Sequence, residues 1–152
     1  MGFRVIFATG RSSFEAYTLA VFAGTTKIAV SENGGVITKS PEEHLVLGNK
    51  KICMEGYNVL KDRIDGVKNK PVFGRMSEVV LWRNFYIDHA QQIFKEHDLP
   101  LYLSDSKYAY HINQVGIDKF TGLTEALQIL GLQARDCVAI GDSETDIPLF
   151  KS

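Results

Sequence analysis

The 152-residue sequence predicts an α/β fold, a parallel sheet interrupted by an inserted α+β segment. Three observations predict it. Short apolar runs at residues 3–8, 27–30 and 137–140 read as strands buried on both faces. The first two are separated by a stretch that fits one helix, the crossover that joins parallel strands. From residue 38 to 110 the strand signals instead come in closely spaced pairs, the pattern of an antiparallel sheet with helices on one face. The expected division is therefore a core of residues 1–37 and 111–152, with the insert at 38–110.

The elements follow in order. After the run at 3–8, Thr9-Gly10-Arg11-Ser12-Ser13 supplies a turn and helix-start residues, 14–23 reads as helix, and Gly24 is placed to stop it. The strand at 27–30 leads into Ser31-Glu32-Asn33-Gly34-Gly35. In the insert, a helix is expected from Pro41 to Ile64, interrupted by Gly48 and Gly56. Strands are expected at 72–73 and 79–82, a helix at 87–97, and a strand pair at 101–103 and 108–112. Phe120, Leu123, Leu127 and Leu130 recur at helical spacing over 118–130, ahead of Gly131. The last strand, 137–140, turns through Gly141-Asp142-Ser143 into a short helix.

Composition narrows the function. With 17 Lys+Arg against 18 Asp+Glu the formal charge is −1, which gives no electrostatic reason to expect nucleic-acid binding. No apolar run has the length of a membrane helix, and no signal peptide is recognisable. The only cysteines, Cys53 and Cys137, make neither a disulfide framework nor a cysteine zinc site. A reduced, cytoplasmic setting is the expectation.

Ligands of open α/β sheets bind beyond the carboxyl ends of the strands, and two polar motifs stand there. Thr9-Gly10-Arg11 offers a hydroxyl, an unobstructed glycine amide and a helix start, a combination that suits a phosphate. The same residues also serve as an ordinary helix cap and tight turn. Gly141-Asp142-Ser143-Glu144-Thr145-Asp146 offers two nearby carboxylates, hard oxygen donors of the kind Mg²⁺ takes; here too a helix cap and a surface charge are the plainer alternative. Lys119 opens a helix, where its charge opposes the helix dipole unless a phosphate or the acidic pair compensates.

Phe7-Ala8-Thr9-Gly10-Arg11, Ser31-Glu32-Asn33-Gly34-Gly35, Lys119 and Gly141-Asp142-Ser143-Glu144-Thr145-Asp146, in this order, resemble the haloacid dehalogenase (HAD) phosphatases. The insert resembles the C2-type cap of the subgroup that holds archaeal phosphoglycolate phosphatases and Cof-type sugar phosphatases. The resemblance implies a Mg²⁺-dependent phosphomonoester hydrolase with a HAD-like Rossmannoid core. In it Thr9 and the Gly10 amide would bind the transferring phosphoryl group, and Lys119 would neutralise its charge. Asp142 would hold Mg²⁺, Asp146 would support the metal or position Lys119, and Asn33 would stabilise the loop facing the site or contact the ligand.

One part is missing. The family's Asp-x-Asp motif carries the nucleophile and the general acid/base. Asp occurs at 62, 65, 88, 98, 105, 118, 136, 142 and 146, and no two are two positions apart. The expectation is an incomplete HAD-like core, truncated at both ends and inactive by itself. It would be half of a split phosphatase or a non-catalytic phosphate-binding remnant, and would pair with a second copy or a complementing N-terminal fragment.

The substrate class expected is a small phosphorylated metabolite, phosphoglycolate or a sugar phosphate. Arg75, Arg83, Lys107 and His111 are the polar candidates of the cap. Arg75 is suited to clamp a carboxylate bidentately; a surface ion pair with Glu78 is its simpler assignment.

Overall fold

The computed structural model describes residues 2–151. Two sheets organise them. The first has the order β1-β2-β3-β4, formed by β1 (Phe7–Ala8), β2 (Ala29–Ser31), β3 (Val36–Thr38) and β4 (His44–Val46). The β1–β2 pair is parallel, as the crossover predicts, while β2–β3 and β3–β4 are antiparallel, so the sheet is mixed. The second sheet has the order β5-β7-β6, entirely antiparallel, from β5 (Val79–Leu81), β6 (Leu101–Asp105) and β7 (Tyr110–Gln114).

Side-chain alternation along β2 explains the layers of the first sheet. Ala29 packs with Ala16 and Ala20 of α1 (Ser13–Phe22), and the next residue, Val30, packs with Ala126 of α4 (Lys119–Leu130). Successive residues point to opposite faces, so the sheet lies between two helices. α1 begins at Ser12, whose hydroxyl accepts from the Glu15 amide while the Glu15 carboxylate accepts from the Ser12 amide. α4 begins at Asp118, whose Oδ1 accepts from the Thr121 amide at 2.9 Å.

The second sheet buries one face against α2 (Lys50–Arg63) and α3 (Ile87–Glu96). Cys53, Leu60, Ala90, Ile93 and Phe94 meet Val79, Leu81, Leu101, Leu103, Tyr110 and Ile112. The alternate residues His111 and Asn113 of β7 pair across with Ser104 and Tyr102 of β6, giving the other face its polar character.

Several expectations change. The border at 37/38 falls inside β3, and β4 pairs with it, so residues up to 46 belong to the first sheet. The border at 110/111 falls inside β7, the central strand of the second. The helix expected from Pro41 starts only at Lys50, capped by Asn49, because 44–46 extend to pair with β3. Gly56 does not interrupt α2. A Cβ there would stand 2.3 Å from Leu101 Cδ1, so glycine lets the helix approach β6. Residues 72–73 form no strand, and Phe73 is exposed.

The largest departure is at 137–140. This segment is outside any strand, with Val138 and Ile140 87% and 92% exposed. A strand apolar on both faces is stable only when paired and covered, and it has no strand partner among the described residues. Residues 3–6 are likewise outside a strand, and β1 forms an edge of its sheet.

Candidate active site

The turn between β2 and β3 is the centre of the site. Glu32, Asn33 and Gly34 have φ of 50°, 54° and 100°, a left-handed run that turns the chain sharply between antiparallel strands. Gly34 is required twice, by that φ and by the start of α4: a Cβ there would lie 1.8 Å from the Asp118 carbonyl oxygen. The close contact sets Lys119 beside Asn33 at one end of the first sheet.

Lys119 is buried, 6% exposed, and its Nζ donates to Asp146 Oδ1 at 2.6 Å. The other Asp146 oxygen accepts from the Ser143 amide and hydroxyl at 3.0 and 2.8 Å and from the Asp142 amide at 3.2 Å. Burial pushes the Asp146 carboxyl up, but Lys119 and the Ser143 donors outweigh it and hold it below the usual aspartate range. Asp146 is thus committed to Lys119 and its own loop. Of its two expected roles, the contact with Lys119 is the one this geometry displays.

Asp142 is exposed, and its carboxylate has no partner among the described residues. Mg²⁺ is commonly bound through one or two carboxylates, with water and phosphate oxygens completing its shell. Asp142 fits as one such carboxylate. Among the described residues no group of three His, Cys, Asp or Glu converges to make a complete protein site.

Asn33 and Lys119 line a cleft of about 340 Å³ with Tyr102, Ser104, Asp105, Asp118, Glu144 and Thr145. The polar face of the second sheet forms one wall, and the loops carrying Lys119 and Glu144 form the other. Tyr102 donates to the Ile117 carbonyl at 2.7 Å, and burial raises its phenol above the usual range. A larger cavity, about 440 Å³, lies between the outer face of α1 and residues 73–76. Its lining of Phe14, Tyr17, Val21, Phe22, Phe73 and Met76 is apolar, and it holds none of the expected site residues.

Thr9 and Gly10 adjoin Asn33 but do not themselves line the cleft. The Asn33 amide donates to the Thr9 carbonyl at 3.1 Å, and the Arg11 amide donates to Thr9 Oγ1 at 3.2 Å. Arg75 faces this loop. Its Nη1 donates to the Gly10 carbonyl at 2.6 Å and also to Glu78 Oε1. The Arg75–Glu78 pair is therefore present, but with side chains 9% and 1% exposed it is a buried pair, not a surface one.

Glu32 and Glu78 were absent from the expected site. Glu32 is fully buried and accepts from the Met76 amide, the Ser77 amide and the Ser77 hydroxyl. Burial raises its carboxyl above the usual range, the Ser77 donors oppose this, and the charge of Glu78 adds to it. The pairing of Arg75 with a carboxylate three residues on was the available signal for Glu78. Nothing in the sequence separated a buried pair from an exposed one.

Comparison with known proteins places the chain in a family. The family profile of haloacid dehalogenase-like hydrolases matches residues 83–152. The sequence is 52% identical over 151 residues to the phosphoglycolate phosphatase of Nitrosopumilus maritimus, covering 99% of this chain and 65% of that protein. It is 30% identical to that of Methanoculleus marisnigri, covering 99% and 67%. The fold superposes on a crystal structure from Thermoplasma acidophilum with a TM-score of 0.87 at 18% identity, covering 99% of this chain and 67% of that one. A sucrose-phosphatase from Synechocystis, in complex with sucrose and phosphate, gives 0.69 at 20% identity, covering 99% and 66%. The chain spans about 65% of the length of the N. maritimus relative. With two sheets around a buried Lys119–Asp146 pair, and with relatives of this similarity along almost its whole length, the chain belongs to the haloacid dehalogenase-like hydrolases.

Proposed function

We propose that this chain carries the phosphate-binding and charge-neutralising part of a Mg²⁺-dependent phosphomonoester hydrolase whose substrate is phosphoglycolate or a similarly small phosphorylated metabolite. The observation that carries the reading is Lys119, a buried cation held against Asp146 on the wall of a cleft that also contains Asn33. Phosphoryl transfer is catalysed mainly by positioning and by neutralising charge, and a fixed buried lysine supplies the second. Asp142 would provide one Mg²⁺ oxygen, and the Thr9 hydroxyl, outside the cleft lining but adjoining Asn33, would help orient a phosphoryl group that reaches past Asn33. The substrate assignment is supported by the name borne by the Nitrosopumilus and Methanoculleus relatives.

The covalent step needs a carboxylate nucleophile, and the sequence contains no Asp-x-Asp. The chain acting alone is therefore expected to turn over negligible phosphoglycolate or p-nitrophenyl phosphate. Pairing with a second copy or with a strand bearing that motif would supply what is lacking. The unpaired segment at 137–140 and the edge strand β1 support such a partner. The unpaired cysteines suit a reducing, cytoplasmic compartment.

The test is isothermal titration of the purified chain with inorganic phosphate and Mg²⁺, alongside an assay of phosphoglycolate turnover. Binding without turnover, weakened at least tenfold in Lys119→Met, is expected. Mg²⁺-dependent turnover by the pure chain would overturn the predicted inactivity. Absence of phosphate binding would overturn the site.

A further inference from the structure

We infer that Glu78, acting through Arg75, is a positioning residue of the Thr9-Gly10 loop, and that the second sheet thereby sets the direction of the Thr9 hydroxyl. The functional meaning of that hydroxyl rests on the phosphate-site reading above; the clamp itself does not. Glu78 is 1% exposed and fully engaged. Its Oε1 accepts from Arg75 and from His111 Nδ1, the latter at 3.0 Å, and its Oε2 accepts from Asn33 Nδ2 at 3.1 Å. A buried carboxylate needs this degree of compensation. Arg75 supplies the fixed positive charge, and the three donors hold the carboxylate in one orientation.

Arg75 passes that orientation on. Its Nη1 reaches the Gly10 carbonyl oxygen at 2.6 Å. The carbonyl of Gly10 and the amide of Arg11 belong to one planar peptide unit, and the amide end donates to Thr9 Oγ1. The plane is thus held at both ends, by Arg75 on the oxygen and by Thr9 on the hydrogen. Because Oγ1 is already accepting from Arg11, its own proton is directed elsewhere, free to be given to an anion. Were the peptide plane to rotate, Thr9 would lose its fixed acceptor role. Asn33 closes the loop from the other side: a Cβ on Gly10 would lie 2.9 Å from Asn33 Oδ1, so the residue that tethers Glu78 also packs against Gly10.

Glu32 keeps the second sheet in place for this. Its carboxylate binds the backbone of Met76 and Ser77 at 2.8–3.0 Å, fixing the segment from which Arg75 and Glu78 project. Arg75, Met76, Ser77 and Glu78 therefore each hydrogen-bond across to the Thr9-Gly10 loop or the β2–β3 turn, through buried or partly buried groups.

Amide hydrogen exchange on the intact chain tests the clamp without any ligand. Arg75→Ala leaves the Glu78 charge buried without its cation and is liable to unfold the chain, so the informative variant is R75M/E78Q, which removes both charges and keeps the volumes. The expected result is exchange at the Arg11 and Asn33 amides, which donate to the Thr9 hydroxyl and the Thr9 carbonyl, at least tenfold faster than in the parent chain, with β6, β7 and α4 unchanged. Arg83→Ala, which removes an exposed pair with Asp105, should leave Arg11 and Asn33 unaffected. Unchanged exchange at those two amides, or a uniform rise across the molecule, would overturn the inference. Titration of R75M/E78Q with inorganic phosphate then separates the two ideas. Loop loosening with an about tenfold loss of phosphate affinity supports both, whereas a parent chain that binds no phosphate removes the functional reading and leaves the clamp to stand on the exchange data.

Discussion

Lys119 and Asp146 are each costly to bury alone, and the fold accepts them only as a pair. Removing one member leaves an uncompensated charge in a site where both side chains are more than nine-tenths buried. Asp146→Asn is therefore expected to cost about 3–5 kcal/mol, while the double change to Met and Leu recovers much of that loss. Denaturant unfolding of both variants beside the parent chain checks it. The pair also has a pH signature. Asp146 titrates below its ordinary value, so its contribution is complete above about pH 4 and fades as pH falls through the depressed value. The acid limb of stability against pH should flatten in Asp146→Asn. At this scale the motif order alone points to Lys119, Asp142 and Asp146. Glu32 and the burial of Glu78 were illegible because a carboxylate's worth depends on who donates to it: the donors of Glu32 lie 44 or 45 residues away along the chain, and Glu78 has only Arg75 nearby, its other donors lying 33 and 45 residues away.

Elements with a local code were read well, and those that depend on a distant neighbour were not. The caps at Ser12 and Asp118 and the left-handed Gly131 end their helices where the residue types demand it. Gly56 shows the other case. Glycine in a helix interior costs about 1 kcal/mol relative to alanine, which made it look like a break. Its reason is Leu101, which comes within 2.3 Å of where a Cβ would stand. Gly56→Ala should gain the propensity yet still lose net stability, because the core must shift to admit the methyl, a cost of about 1–3 kcal/mol. A lowered thermal midpoint, with a smaller drop when Gly56→Ala is made in a Leu101→Ala background, is the expected outcome. A raised midpoint in the single variant would show that the contact relaxes freely.

At the scale of the molecule, the first sheet has a buried centre and two edges. β2 and β3 are fully buried between helices, while β1 and β4 each have a partner on one side only. Phe3, Val138 and Ile140 are 98%, 87% and 92% exposed. Such residues, in segments able to pair as strands, invite association. Periodicity marked 137–140 as a buried strand because the sequence pattern records the environment a strand is built for, whether or not the partner is at hand. The resulting prediction concerns the whole protein. A peptide carrying an apolar strand that ends in Asp-x-Asp should bind the chain, slow amide exchange in β1 and at 137–140, and confer Mg²⁺-dependent turnover of phosphoglycolate. The same peptide with both aspartates changed to Asn should give the exchange protection without the turnover, since strand pairing is a backbone property and the nucleophile is not. If neither peptide alters exchange and light scattering reports a monomer throughout, the open edge is tolerated as it stands, and the proposed pairing fails.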